Sequence, residues 1–142
     1  MFNALEVLSR GLSASRTRVN VLSSNLANSE TTRTPEGGPY KRKDVVQMAY
    51  SAPSSFSTAL DRLTLAAPSI SSVVEDQSDA RKVFQPGHPD ADTNGYVAYP
   101  NINVVSTMTD LMSASRLYQA NVSAIETVRR MSQDAQSISA RA

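Results

Sequence analysis

The sequence predicts a mainly α-helical chain with a small β-rich insertion, in which N- and C-terminal helices pair as a coiled-coil hairpin. Three observations predict it. Apolar residues recur with a seven-residue period at both ends of the chain. All seven prolines and four of the five glycines fall between residues 30 and 102. Inside that stretch, short apolar runs alternate with turn-forming residues, the pattern of short strands and extended loops. Residues 1–29 and 103–142 are thus expected to form one helical domain, and residues 30–102 an insertion hanging from it.

The first element is a helix over residues 3–28. Leu5, Leu8, Leu12, Ser15, Val19, Leu22 and Leu26 step 3-4-3-4-3-4, the spacing that keeps one seam facing a partner helix. No proline interrupts it, and Gly11 is its one strongly helix-weakening residue. Asn28 is placed to close the helix, because asparagine tolerates the left-handed conformation common at C-terminal caps.

The middle reads differently. Apolar runs at Val45-Val46, Leu63-Thr64-Leu65, Ser71-Ser72-Val73-Val74 and Val83-Phe84 are bounded by turn formers such as Gly37-Gly38-Pro39, Glu75 to Asp79 and Asn94-Gly95. Short strands joined by turns are expected, with Ser51 to Ser57 a loop.

The last element is a longer helix over residues 103–141, preceded by Pro100 and capped by Asn103. Its predicted seam is Val104, Met108, Leu111, Ser115, Tyr118, Val122 and Ile125, continued by Val128, Met131, Ala135 and Ile138. Being longer than the first, it should overhang it. Residues 103–141 hold seven charged side chains against fifteen of Ser, Thr, Asn or Gln, so the dense Glu/Lys flanks of a solvated coiled coil are missing. Ala114, Ala120, Ala124, Ser113 and Ser123 are instead small enough for further helices to approach. A lone hairpin with one narrow seam is marginal, since helix stability comes mostly from burial. Assembly with neighbouring subunits is therefore expected.

Composition removes several functions. A net charge of +1 gives no whole-chain attraction to nucleic acid or anionic lipid. The chain has no cysteine, so disulfides, thiolate metal sites and cysteine nucleophiles are out. No run approaches the ~20 apolar residues of a membrane span. Glu6 and Arg10 interrupt the apolar N-terminus, so no cleaved secretory signal is expected there.

Five segments carry a family resemblance. Ser24-Asn25-Leu26-Ala27-Asn28 with Thr31-Thr32-Arg33 is similar to the N-terminal signature of the flagellar rod and hook axial proteins. The run Thr34 to Val46, containing Gly37, Gly38, Pro39 and Tyr40, resembles the proximal rod branch of that family. So do Pro86 to Asp92, Gly95 to Val104 with Pro100 and Asn101, and Ala114-Ser115-Arg116-Leu117-Tyr118-Gln119-Ala120-Asn121-Val122. The resemblance implies a torque-transmitting structural subunit of the bacterial flagellar basal-body rod, not an enzyme, that polymerises through its terminal helices. Implied partners are copies of itself, the other proximal rod proteins, the distal rod protein and the adaptor to the membrane-embedded ring. It also implies passage through the flagellar type III export apparatus without a cleaved signal, and a place in the rod crossing the periplasm. No cofactor, nucleic acid or membrane insertion is implied.

Three local patterns invite other readings. His88, Asp90 and Asp92 could suggest a metal, but they are neighbours on one proline-rich loop rather than ligands converging from several directions. Asp90-x-Asp92-x-Asn94-Gly95 matches the start of a calcium loop, yet position twelve is Asn101 and Pro86 and Pro89 forbid the preceding helix. A tight Asp92-Thr93-Asn94-Gly95 turn before a strand is the expectation. Lys41-Arg42-Lys43 is too short and too poor in aromatic neighbours for a nucleic-acid site. No nucleophile has a histidine partner, and no phosphate-binding glycine loop is present. The competing functional class is a helical binding or adaptor module that does not polymerise.

Overall fold

The computed structural model describes residues 2–50 and 67–139. They form α1 (Phe2–Ala27), β1 (Lys43–Tyr50), β2 (Ala67–Glu75), β3 (Arg81–Phe84), β4 (Tyr96–Tyr99) and α2 (Val104–Ser139). The chain is mainly helical, with a small antiparallel strand region between two long terminal helices, as the periodicity predicted. The Leu63 to Leu65 run, the Ser51 to Ser57 loop and the last residues of the expected second helix lie outside the described residues.

The two helices pack on each other as a hairpin. Asn121 Nδ2 donates to Ser15 Oγ across the pair at 3.0 Å. Nearer the start of α2, Asp110 acts on the charge of Arg42, which sits beside the Lys43 backbone held by Asn25. Residue 110 is therefore near the end of α1 and residue 121 near its middle, so the helices run antiparallel. At 36 and 26 residues, α2 spans about 54 Å and α1 about 39 Å. The excess leaves Met131 and Ile138 exposed.

The end of α1 and the start of α2 are closed by side chains, because terminal amides and carbonyls lack intrahelical partners. Asn103 caps α2: its Oδ1 accepts from the Ser106 amide at 3.1 Å and its carbonyl from the Thr107 amide at 2.9 Å. The end of α1 differs from expectation. Among the described residues only glycines have positive φ, so Asn28 does not enter the left-handed region. Its side-chain amide instead donates to Ser24 O at 2.9 Å, while its Oδ1 accepts from Thr31 Oγ1 at 3.2 Å. Ser29 adds a hydroxyl bond to Leu26 O at 2.9 Å. Side-chain capping satisfies the last carbonyls without the backbone strain of the left-handed form.

β1 and β2 form an antiparallel hairpin whose register pairs Lys43 with Glu75 and Tyr50 with Ala67. Val46 faces Ser72 and Gln47 faces Ile70, so Ser71 is an extra residue and the ladder bulges there. Such an insertion bends the strand and tightens its twist. The hairpin lies along α1, on a different face from α2. Ala14 of α1 and Ala67 of β2 are 4% and 5% exposed, and Arg10, Ala14 and Thr17 line one hollow with Pro68 and Ile70.

β3 and β4 form a second antiparallel hairpin, Arg81 opposite Tyr99 and Phe84 opposite Tyr96. Val97 at its centre is fully buried, and Pro100, which follows it, is also buried. Phe84 and Tyr96 meet edge to face with centroids 5.3 Å apart, a geometry favoured by the ring quadrupoles. Gly95, at φ 80°, has no room for a side chain: an added Cβ would stand 2.9 Å from Phe84 Cε2.

The buried core is small and made of small residues, Ala14, Ala67 and Ala114 with Val97. Gly11 belongs to this close packing, yet an added Cβ there would meet Asn121 at 3.6 Å, ordinary contact distance. Gly11→Ala should therefore stabilise the chain by about 0.5–1 kcal/mol through lower backbone entropy of the unfolded state and better helix propensity. Thermal unfolding followed by circular dichroism would read this as a higher midpoint, and a lower midpoint would mean that Asn121 cannot give way.

Candidate assembly interface

On α1 the predicted seam residues Leu5, Leu8, Leu12, Val19, Leu22 and Leu26 are all half-buried, and Ser15 is 2% exposed. On α2, Leu111, Ser115, Tyr118, Val122 and Ile125 are half-buried. Val104 and Met108 stand out at 38% and 49% exposure, whereas Thr107 and Ala114 are buried. The face of α2 toward α1 is therefore the row Thr107, Leu111, Ala114, Tyr118, Asn121, Ile125, Val128. It shares Leu111, Tyr118, Ile125 and Val128 with the predicted seam and carries the small or polar Thr107, Ala114 and Asn121 at the alternate positions. Ala114, expected on an outer face, lies inside because only a small side chain lets the two backbones come this close. Ala120, Ser113 and Ser123 do face outward, and Ala124 is half-buried.

Moving Val104 and Met108 off the seam creates a second apolar stripe. With Val105 and Met112, which are 74% and 59% exposed, they cover a flank of α2 turned away from α1. The β1–β2 hairpin adds Val46, Met48, Val73 and Val74, all more than two-fifths exposed. Val46 and Val74 share one face and Val73 lies on the other. A two-stranded hairpin with exposed apolar side chains on both faces is marginal in water, so these surfaces point to protein neighbours.

The family-motif residues hold the insertion onto α1. Asn25, 2% exposed, donates from Nδ2 to Lys43 O at 2.7 Å and accepts at Oδ1 from the Lys43 amide at 2.9 Å. The Tyr40 hydroxyl adds a 3.1 Å bond to the same Oδ1 and lies 3.2 Å from Ser24 Oγ. The amide side chain thus mimics a strand partner for the first residue of β1. Between these points the chain reverses at Thr34 to Gly38, where the Thr34 amide donates to Gly38 O at 2.9 Å and Gly37 and Gly38 both take positive φ. The Tyr40 amide closes the loop onto Thr31 O at 3.0 Å. Thr32 Oγ1 reaches Asp90 Oδ2 at 2.8 Å, and Arg33 lies 3.8 Å from the other oxygen of that carboxylate.

The tempting ligands are engaged in local geometry. Asp92 Oδ1 accepts from the amides of Asn94 and Tyr96 at 2.9 and 2.8 Å, with Gly95 at φ 80° completing the turn. His88 Nδ1 accepts from the Asp90 amide at 3.1 Å. Among the described residues no three His, Cys, Asp or Glu side chains gather as a metal would require. Two members of the basic run are likewise occupied at home. Arg42 pairs with Asp44 at 2.6 Å and stands 3.7 Å from Asp76, and Lys43 is 3.8 Å from Glu75. The Asp44 hydrogen bond raises the Arg42 pKa further, aided by the charges of Asp44, Asp76 and Asp110 and opposed by desolvation. The Ser78 amide and hydroxyl, with help from Arg42, lower the Asp76 pKa, although desolvation works against them. Among the described residues no helix is long and apolar enough to cross a membrane.

Comparison with known proteins agrees with this layout. Residues 5–33 match the family described as Flagella basal body rod protein, and residues 93–138 match Flagellar basal body rod FlgEFG protein C-terminal. The chain is 39% identical to the flagellar basal-body rod protein FlgC of Salmonella typhimurium, with 92% of each chain covered. The chain belongs to the FlgC family. It is also similar to the FlgC of Bacillus subtilis, at 39% identity and 92% coverage of each, and to that of Borreliella burgdorferi, at 37% and 97%. The two matched stretches are α1 with its capping loop, and β4 with α2. In this FlgC-family chain the residues that sequence reading missed are Thr107 and Gly11, and the inward placement of Ala114 and Asn121. Their signal is the spacing of small residues seven apart, which hydrophobic periodicity alone passes over.

Proposed function

We propose that the chain is a structural, non-enzymatic subunit of the bacterial flagellar basal-body rod. It polymerises through its terminal helices into the torque-transmitting proximal rod. The observation that carries the polymerisation is the second apolar stripe, Val104, Val105, Met108 and Met112, exposed on a helix whose opposite face is already occupied. Its partners are copies of itself and the other rod proteins, including the distal rod protein and the adaptor to the membrane-embedded ring. It reaches the periplasm through the flagellar type III export apparatus, without a cleaved signal. Membership of the FlgC family supports the rod assignment.

The test is location. Basal bodies purified from cells carrying an epitope-tagged copy should contain the chain, and deletion should leave cells non-motile with basal bodies lacking a completed rod. A tagged chain found wholly outside basal bodies, with rods intact in the deletion strain, would instead favour the adaptor reading.

A further inference from the structure

The seam between α1 and α2 contains one polar contact that its apolar members do not require. Ser15 is 2% exposed, donates from Oγ to Gly11 O at 2.7 Å, and accepts from Asn121 Nδ2 at 3.0 Å. Gly11, one turn away, has no side chain, and Asn121 occupies the space above it, 3.6 Å from where a Cβ would begin. We propose that Ser15 and Asn121 form the register lock of the helical hairpin, choosing one alignment of α1 on α2 among several that its apolar seam would accept.

The reason lies in the repeat. Leu5, Leu12, Val19 and Leu26 are seven apart, as are Leu111, Tyr118 and Ile125. Sliding α1 by one heptad places apolar on apolar again, so hydrophobic burial hardly distinguishes the alignments. Position 15 is where they differ. A slide brings Leu8 or Leu22 opposite Asn121 in place of Ser15, and Ala4 or Arg18 in place of Gly11. Leucine offers the amide no acceptor, and a buried unpaired amide is penalised. Arginine in place of Gly11 would also fill the space the amide needs. A single buried polar residue setting register is the best-attested use of such groups in coiled coils. The first hairpin gives α2 no second anchor, because among the described residues neither β1 nor β2 packs on it.

The inference concerns the hairpin and stands apart from what the chain assembles into. It is tested on the purified full-length chain, which has no native cysteine. In the native alignment, Leu8→Cys with Val128→Cys forms an intramolecular disulfide. In the two slipped alignments, the pairs Leu22→Cys with Thr107→Cys and Leu8→Cys with Ala135→Cys do so. With Ser15 and Asn121 intact, only the first pair should cross-link. In Ser15→Ala/Asn121→Leu, which removes both polar groups at nearly constant volume, slipped disulfides should rise from background to a share comparable with the native one. Ser15→Thr, which keeps the hydroxyl, should retain the native pattern. Helicity is measured alongside. A double variant that stays helical yet shows only the native cross-link overturns the proposal. So does one that loses more helicity than either single variant, since the pair would then be a plain stabiliser.

Discussion

Replacing Leu22 or Val122 with aspartate should abolish rod assembly and motility. Both side chains are half-buried, one on each helix of the hairpin. A carboxylate at Leu22 faces, and one at Val122 borders, a seam whose polar groups, Ser15 and Asn121, are already bonded to each other. Leaving a charge in such a place without a partner costs about 3 kcal/mol or more, a large share of what holds a chain of this size folded. The buried core offers little reserve, since among the described residues its apolar members are three alanines and Val97. Leu22→Ala provides the graded control. A half-buried leucine should lose about 1–2 kcal/mol, toward the low end of the core series, and should weaken swarming without eliminating it. Helicity of the purified chains and motility in swarm plates are the measurements. Normal motility in both aspartate variants would remove the helix pairing from any role in assembly.

The second large effect is expected at Asn25. Asn25→Ala removes three hydrogen bonds at once, two with the Lys43 backbone and one from Tyr40. Each buried group left unsatisfied costs about 1–3 kcal/mol, and water entering the vacated space returns part of it, so a loss of about 2–3 kcal/mol is expected. Tyr40→Phe, which removes one of the three, should cost about 1 kcal/mol. Asn25→Asp separates shape from chemistry. Its carboxylate would turn an acceptor toward Lys43 O, and only the protonated acid can donate there. Its folded-state pKa must then lie above the unfolded value of about 3.9. The favourable contact is present below that unfolded value and is lost as pH rises through the folded one. Unfolding midpoints of the Asn25→Asp variant should therefore approach the parent as pH falls toward about 4 and separate from it at neutral pH. A gap that does not change with pH would show that the Lys43 carbonyl does not read the donor.

The sequence exposed the long-range plan more fully than the contacts that fix it. Seven-residue spacing located both helices to within two residues of Phe2–Ala27 and within one of the start of α2 at Val104, because burial of one face imposes that period. Asn103 was recognisable as a cap since its role depends on local chain geometry alone. The α2 seam was misplaced by part of a turn. Val104, Met108 and Thr107 differ by hydrophobicity in the wrong sense, and the deciding quantity is how near two backbones can approach at Ala114 and Gly11, which no single helix encodes. Asn25 stands out in the sequence only as part of a family signature. Its partner, the Lys43 backbone, is eighteen residues away and carries no side-chain signal. For Lys41-Arg42-Lys43 the sequence pattern argues only against a nucleic-acid site, and it does not name the partners that Arg42 and Lys43 find in Asp44, Asp76 and Glu75 of the same chain.

Among the described residues, the β3–β4 hairpin packs against no helix and against neither strand of the other hairpin. Its attachments are covalent at both ends, through residues 76–80 to β2 and through Pro100 to α2, and polar at Asp90, reached by Thr32 and Arg33 beyond the end of α1. In mechanical terms the hairpin is a crank with two backbone mountings and one lighter strut. A force applied to it enters α2 and the β1–β2 hairpin through the backbone, and reaches the chain beyond α1 through one carboxylate, which behaves as a shear pin. Overload would part the Asp90 contact before either backbone mounting, so the weakest of the three joints is also one that can re-form when the force is removed.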